Sequence, residues 1–338
     1  MWKVFVLRSN IIPMKATAIA HPNVAFIKYW GRKDETLRLP TNGSLSMNLS
    51  EMNTTTTVEF SESFTQDIIL IDGQQIVQES QRVIEHIDRI RKLANISSKA
   101  KIVSQNNFPS GTGLSSSSSA FAALTVASAK AAGLSLKEKE LSILARQGSG
   151  SACRSIPNGF VEWKDAEISE ESYAISLFPS DYWDIVDIVT VVSTEKKLIP
   201  TTCGQLTAYT SPFFETRLTY MQEKLQLAKQ YMQEKNFSRF GELIEAEALE
   251  MHAVMISQKP SLIYWSEGTL QLMKFVQQWR IEGLPVYFTI NTGQDIHLIC
   301  QSQYIKQLKH KLEQISKVKQ ILINKPAEGT KLINTHLF

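Results

Sequence analysis

Residues 106–120 read NNFPSGTGLSSSSSA, and residues 121–133 continue FAALTVASAKAAG. Gly111 and Gly113 lead into five consecutive serines, and an Ala-rich apolar stretch over 120–132 follows until Gly133 stops it. A Gly-rich loop leaves backbone N–H groups uncovered. The first turn of a helix adds unpaired N–H donors and the positive end of the helix dipole. Together they cradle phosphate. Serine hydroxyls in that turn can bond phosphate oxygens or help place Mg2+. No Gly-Lys-Ser/Thr occurs here, so this is not a Walker A loop, and it is not G-x-G-x-x-G either. A flexible Ser-rich linker is the competing reading. The long apolar helix that follows without a polar spacer argues against it.

Upstream of this loop the pattern predicts strands over 16–20, 54–60, 67–71 and 101–105. The run Thr54 to Thr57 suits a pleated, half-exposed surface. Ile84, Ile87, Ile90 and Leu93 recur at helical spacing and predict a helix over 75–94. Downstream, Ser135 and Glu138 read as a capping box for a helix reaching about residue 147. Residues 148–151 break it, and strands are expected over 159–163 and 183–192. From about residue 193 the texture changes to three long helical patterns, 214–234, 237–256 and 261–280. Strands over 286–291, 297–300 and 320–323 and a helix over 303–316 complete the chain. Strands and helices do not alternate one for one, which argues against a TIM barrel or a doubly wound sheet. The expected class is α+β in two units, 14–192 and 193–338.

Composition narrows the function. Among 338 residues, 36 Lys plus Arg oppose 33 Asp plus Glu, a net charge of +3. A near-neutral chain is not a general nucleic-acid binder. Hydrophobic residues at 43% and charged residues at 20% fit a globular protein with a full core, not a disordered chain. No apolar run is long enough to span a bilayer, and residues 1–7 are too short for a secretory core. Met14, after Pro13, opens the patterned region, so residues 1–13 read as an extension. Cys153, Cys203 and Cys300 form no CxxC or zinc spacing, and the six histidines make no metal-ligand spacing. A reduced, cytoplasmic compartment is expected. Gly-x-Ser-x-Gly is absent, which leaves no argument for a serine hydrolase.

Three further segments carry chemistry. Gly148-Ser-Gly-Ser-Ala-Cys-Arg154 is a second small-residue loop, with an Arg suited to bidentate recognition of carboxylate or phosphate. Alone it also reads as a helix C-cap with a surface Arg. Residues 23–33, NVAFIKYWGRK, interleave Lys28, Arg32 and Lys33 with Tyr29 and Trp30. Residues 193–204 carry Lys196 and Lys197 and alone read as a solvated loop.

Taken together, these segments resemble the mevalonate diphosphate decarboxylase family of the GHMP kinase superfamily. NVAFIKYWGRKDETLRLPTNGSLS, residues 23–46, resembles the family's N-I-A-x-I-K-Y-W-G-K … L-P-x-N-x-S-L-S. Residues 108–117 resemble its phosphate loop, F-P-x-x-x-G-L-x-S-S. ARQGSGSACRSIPNGFVEW, residues 145–163, follows the family pattern almost letter for letter. Thr210-Ser-Pro212 and Met251-His-Ala253 are weaker matches, and the likeness covers about residues 15–330. It implies a GHMP kinase-like fold: a ribosomal-protein-S5-like N-terminal domain, a ferredoxin-like C-terminal domain and a site in the cleft between them. It implies ATP and Mg2+ as cofactors, a phosphorylated hydroxy acid as substrate, and a homodimer. The implied reaction phosphorylates the 3-hydroxyl of mevalonate 5-diphosphate and decarboxylates it to isopentenyl diphosphate. By resemblance Pro109, Gly111, Gly113, Leu114, Ser115, Ser116 and Ser117 bind ATP. Arg154 holds the substrate carboxylate beside Asn23, Ser149, Gly150 and Ser151. Tyr29 and Arg32 approach the phosphate end, and Lys196 takes the place of an active-site lysine.

Three positions depart from the pattern. The family's late D-x-G-P-N reads Asn291-Thr-Gly-Gln-Asp295, so Asn291 stands where the catalytic aspartate is expected. A neutral amide cannot accept the hydroxyl proton. Asp295 lies four residues on, roughly 13 Å along an extended chain. Thr202 stands where some members carry a phosphate-binding Arg, and Arg32 replaces a lysine. These changes keep two alternatives open beside the decarboxylase. One is a 3-kinase, or a decarboxylase of the monophosphate. The other is a nucleotide-binding homologue that has lost catalysis. If the base has merely moved, a carboxylate from elsewhere is expected within about 3.2 Å of the hydroxyl's place.

Overall fold

The computed structural model describes residues 14–76, 80–109, 113–193 and 199–338. The chain begins with β1 (Lys15–Ala20), β2 (Asn23–Ile27), the short hairpin β3 (Arg32–Asp34) and β4 (Leu39–Pro40), then β5 (Ser44–Asn48). There follow β6 (Thr54–Ser61), β7 (Ile68–Ile71), β8 (Gln74–Gln75), α1 (Gln81–Ala94) and β9 (Lys99–Asn106). Next come α2 (Ser116–Ala131), α3 (Glu138–Gly148), a 3-10 turn (Gly150–Ser155), β10 (Phe160–Trp163), β11 (Ala174–Phe178) and β12 (Val186–Val191). The C-terminal part holds α4 (Thr201–Leu206), α5 (Phe214–Gln233), α6 (Phe237–Ser257), α7 (Glu267–Ile281), β13 (Tyr287–Thr289) and β14 (Ile296–Cys300). It ends with α8 (Ile305–Glu313), β15 (Gln320–Asn324) and β16 (Lys331–Ile333). This is the expected α+β class.

Three larger sheets and the two-stranded β3–β4 hairpin organise the described residues. A six-stranded sheet runs β16-β1-β6-β9-β7-β8, a second runs β11-β10-β5-β2, and the C-terminal sheet runs β13-β14-β12-β15. The threonine run lies in β6, which pairs in register with both β1 and β9. Helix α2 packs across that sheet. It is buried almost all round because its alanines let it approach the strands closely. A second core joins the two parts of the chain. Phe26 of β2 meets Phe240 of α6 with ring centroids 5.0 Å apart, and Val189, Val191, Tyr287 and Ile299 of the C-terminal sheet close over them.

Sheet membership divides the chain differently from the texture boundary at 192/193. β12 pairs with β14 and β15, so it belongs to the C-terminal sheet, and the last strand, β16, returns to pair with β1. The expected helix over 75–94 starts at Gln81, because Gln74 and Gln75 are spent on a ladder with Ile71 and Leu70. Helix α3 starts at Glu138, where the Glu140 carboxylate accepts the Lys137 backbone N–H at 2.7 Å. The helix expected over 261–280 begins only after Ser266, whose hydroxyl accepts from Thr269 N–H at 3.3 Å. Strands β2 and β5 were not anticipated. Both are buried at every position, so neither shows the alternation that marks a half-exposed strand.

Candidate active site

Strand β2 places the first polar group. Its period of two sets Asn23 and Ala25 on one face. Asn23 donates to Ser155 Oγ at 2.8 Å and to the Ser151 carbonyl at 3.1 Å, which orients its Oδ1 toward Arg154. That Oδ1 accepts from Arg154 Nη2 at 3.1 Å, while Arg154 Nη1 donates to Ser44 Oγ of β5 at 2.7 Å. Arg154 is only 4% exposed, and its Nε has no hydrogen-bond partner among the described residues. No carboxylate among them pairs with it. Burial lowers its pKa, yet a guanidinium stays charged in proteins. A buried cation held by neutral groups alone is a site built to receive an anion.

The turn between α3 and the 3-10 segment holds Ser149, Gly150 and Ser151. Ser149 Oγ lies 3.4 Å from Ser117 Oγ in the first turn of α2, so this turn and the phosphate loop meet. Tyr29 lies against Gly150, where an added Cβ would meet its Oη at 3.0 Å. The Tyr29 hydroxyl donates to Gln205 Oε1 of α4 at 2.7 Å and accepts from Arg32 Nε at 2.9 Å. Burial, opposed by Arg32, raises the Tyr29 pKa and keeps the phenol neutral.

Two further arginines surround this end. Arg38 Nε donates to the Gln147 carbonyl at 3.1 Å, and Arg82 Nη2 to the Gly148 carbonyl at 2.9 Å. Burial first, then Arg38 and Arg32, bring the Arg82 pKa down to about 9. Arg32 has Glu35 as a partner at 2.6 Å. Neither Arg38 nor Arg82 has a carboxylate partner among the described residues. This is local positive charge in excess, in a chain that is near-neutral overall.

The loop after β13 closes the cleft from the C-terminal side. Asn291 Nδ2 donates to Ser115 Oγ at 3.2 Å, and its Oδ1 accepts from Lys28 Nζ at 3.1 Å and from the Ala25 N–H at 3.4 Å. Its carbonyl lies 3.0 Å from His252 Nε2. Gly113 touches the same loop: a Cβ there would stand 2.5 Å from Gly293 Cα. Gly113 has φ +116° and Ser115 φ +59°, so the backbone turns sharply just before α2 begins. Leu114 is buried and anchors the turn in the second core.

Of the expected site residues, Asn23, Tyr29, Arg32, Ser115, Ser117, Ser149, Gly150, Ser151, Arg154 and Asn291 are thus brought together by contacts among β2 and the residues just after it, the start of α2, the turn after α3 and the loop after β13. Ser116 starts α2, and Pro109 is half-buried at the loop's entry. Gly111 and Lys196 lie outside the described residues. Asp295 faces elsewhere: it is buried and accepts the Val192 N–H at 3.0 Å, a structural tie inside the C-terminal sheet. Lys28, Arg38, Ser44, Arg82 and Gln205 were not assigned from sequence. Lys28 carried a signal, a lysine directly after an apolar strand. Arg82, on the flank of α1, carried none.

The buried Arg154 and the half-buried Arg32, Arg38 and Arg82 flank a Gly/Ser loop at the N-terminus of a buried helix, in a two-part α+β fold. That combination defines a GHMP kinase-like phosphoryl-transfer protein. Residues 20–174 match the family model for the diphosphomevalonate decarboxylase-like N-terminal domain, and residues 187–335 match that for the mevalonate 5-diphosphate decarboxylase C-terminal domain. The diphosphomevalonate decarboxylase of Candida albicans is 35% identical over 296 residues, 82% of each chain. The mevalonate diphosphate decarboxylase of Staphylococcus aureus superposes with a TM-score of 0.90 at 36% identity, over 95% of this chain and 98% of that one. MDDEF in complex with MVAPP, AMPPCP and magnesium also gives 0.90, at 35% identity, over 95% and 99%. The chain belongs to the diphosphomevalonate decarboxylase family.

Proposed function

We propose that this protein transfers the γ-phosphoryl group of ATP to the 3-hydroxyl of mevalonate 5-diphosphate and releases CO2, phosphate and isopentenyl diphosphate. The observation that carries the reading is Arg154, a buried guanidinium oriented by Asn23 and Ser44 and paired with no carboxylate. It holds the acid's carboxylate. Tyr29, Arg32, Arg38 and Arg82 receive the 5-diphosphate. The loop 109–117 receives the nucleotide phosphates on backbone N–H groups and the α2 dipole. A loose phosphoryl-transfer transition state needs this positioning and charge neutralisation more than covalent help. Once the 3-oxygen carries phosphate, the C3–O bond breaks, the C1–C2 bond breaks to CO2, and its electrons form the alkene. Arg154 keeps the carboxylate aligned for that cleavage.

Among the described residues no cluster of three or more His, Cys, Asp or Glu side chains could hold a metal. This suits Mg2+ arriving on the nucleotide, where phosphates and water fill most of its coordination. The hydroxyls of Ser115, Ser116 and Ser117 are the protein donors available to it, and it supplies charge neutralisation on the β- and γ-phosphates. Homodimerisation, which rests on the resemblance, and a cytoplasmic location, which rests on the cysteine usage, remain part of the proposal. No described helix is long and apolar enough to cross a membrane.

Asn291 favours a second reading, a 3-kinase that stops before decarboxylation. One assay separates them. The protein is given Mg-ATP with mevalonate, its 5-phosphate or its 5-diphosphate, each carrying a carboxyl label, and ADP and labelled CO2 are followed. Matching ADP and CO2 from the diphosphate is the expected result. ADP without CO2 would establish the kinase, and ADP from none would overturn both.

The loop assignment has its own test. In Gly113→Ala the new Cβ must displace Gly293 while the backbone holds a positive φ. Strain of this kind costs ~1–3 kcal/mol. Nucleotide affinity, read by titration with a fluorescent ATP analogue, is expected to weaken by about 5- to 150-fold. Unchanged affinity would show that the loop does not need this contact.

A further inference from the structure

Phosphoryl transfer to a hydroxyl releases a proton, and a positioned acceptor is worth about 10²–10⁴ in rate. Asn291 cannot take it. Among the described residues, the buried carboxylates of this region are committed elsewhere. Glu247 accepts from Arg217, Lys224 and the Lys28 N–H; Asp187 lies 2.7 Å from His297 Nδ1; Asp295 accepts from Val192 N–H. His252 Nε2 is taken up by the Asn291 carbonyl at 3.0 Å. One titratable side chain touches the Asn291 amide among the described residues. Lys28 Nζ donates to Asn291 Oδ1 at 3.1 Å and to the Ala25 carbonyl at 2.6 Å. With both N–H bonds of a neutral amine so placed, the one remaining tetrahedral position is its lone pair.

We propose that Lys28 is the general base: its neutral amine takes the 3-hydroxyl proton as that oxygen bonds the γ-phosphorus and the bond from phosphorus to the ADP oxygen breaks. The proposal rests on the ATP-dependent reading above. Proton, phosphoryl group and charge are all accounted for, since the ammonium formed balances the charge carried onto the new phosphate ester and ADP.

Placement and electrostatics agree. Lys28 Nζ donates to the backbone carbonyl of Ala25 and Arg154 to the Asn23 side chain, two residues apart in β2, so amine and carboxylate grip are anchored to neighbouring positions of one strand. The groups facing Lys28 are Glu247 and His252 from α6, Arg217 from α5, Arg154 from the 3-10 turn, Asp187 from β12, and the uncharged Asn291. Burial is the largest influence and brings the Lys28 pKa down to about 7. Glu247 and Asp187 oppose it, while Arg154 and Arg217 reinforce it. A carboxylate at position 291 would hold the lysine charged, whereas the amide leaves it able to lose its proton at neutral pH.

The test is the pH dependence of kcat for ADP formation, with Lys28→Arg, Lys28→Met and Asn291→Asp. A base must be neutral, so kcat is expected to rise with pH through a midpoint near 7. Arginine keeps the charge but cannot act as base, so Lys28→Arg and Lys28→Met should both lose about 10²–10⁴-fold in kcat with KM little changed. Asn291→Asp supplies a carboxylate and should move the acidic limb to lower pH. A kcat that falls as pH rises through 7, or activity kept in Lys28→Arg, would mean that Lys28 acts as a cation and overturns the proposal. Should both Lys28 variants misfold, the ε-carbon of Lys28 in the intact protein, followed by ¹³C NMR and assigned from Asn291→Asp shifts, decides. Titration near 7 is expected, and titration near the ordinary lysine value of about 10.4 overturns it. ADP from no mevalonate derivative at any pH would instead bring down the ATP-dependent reading itself, a result distinct from a pH profile of the wrong sign.

Discussion

Arg154→Met is expected to lower kcat/KM for the acid by about 30- to 4,000-fold, the equivalent of ~2–5 kcal/mol for losing one side of a buried, hydrogen-bonded charge pair. In the free protein that pair is incomplete, because among the described residues Arg154 donates to the neutral oxygens of Ser44 and Asn23, lies over the Trp163 ring, and meets no carboxylate. The substrate carboxylate completes it. This predicts an unusual split between activity and stability. Removing an uncompensated buried cation relieves a desolvation cost, so Arg154→Met should unfold at the same temperature as the parent or higher. Arg154→Lys is expected to restore little, since a single ammonium cannot keep both the Ser44 and Asn23 bonds and still present a fork to the acid. Steady-state kinetics with thermal unfolding on the same samples checks both halves. Retained turnover, or a stability loss that matches the activity loss, would remove Arg154 from the binding role.

Glu247→Leu should destabilise the fold by ~3–5 kcal/mol, read as a shift of the urea midpoint at constant m-value. Glu247 is fully buried. Its Oε1 accepts from Arg217 and from the Lys28 backbone N–H at 3.1 Å, and its Oε2 accepts from Lys224 at 2.9 Å. One carboxylate thereby ties α5, α6 and the end of β2 together. Without it Arg217 is left buried and unpaired, which costs more than the lost attraction. Glu247→Leu combined with Arg217→Met should recover a large part of the loss, because the stranded cation is gone. A midpoint shift worth less than about 1 kcal/mol in the single variant would show that Lys224 and water carry the network instead.

Much of the site was legible because its segments are local in sequence. The Gly/Ser loop and the Gly148 to Arg154 turn each bring their chemistry within a few residues, and local geometry follows from residue type at glycines, serines and helix starts. The class of fold was legible too, from helical and strand periods that do not alternate. The less legible parts have a common cause. Strands β2 and β5 are buried on both faces and therefore lack a period. Arg82, Arg38 and Gln205 gain meaning only when α1 and the β3–β4 hairpin meet the end of α3 and α4 meets Tyr29.

Position 291 draws the line most sharply. The residue types alone establish that a neutral amide stands in the loop after β13 and that Asp295 is too far along the chain to replace a base beside it. Only the tertiary structure decides what stands next to that amide. The meeting of β2 with that loop puts Lys28 against Asn291, and burial between the two parts of the chain sets the lysine's charge. A side chain's identity is written in the chain, but its proton affinity depends on solvent exclusion and on charges brought from α5, α6 and β12, which are distant in sequence.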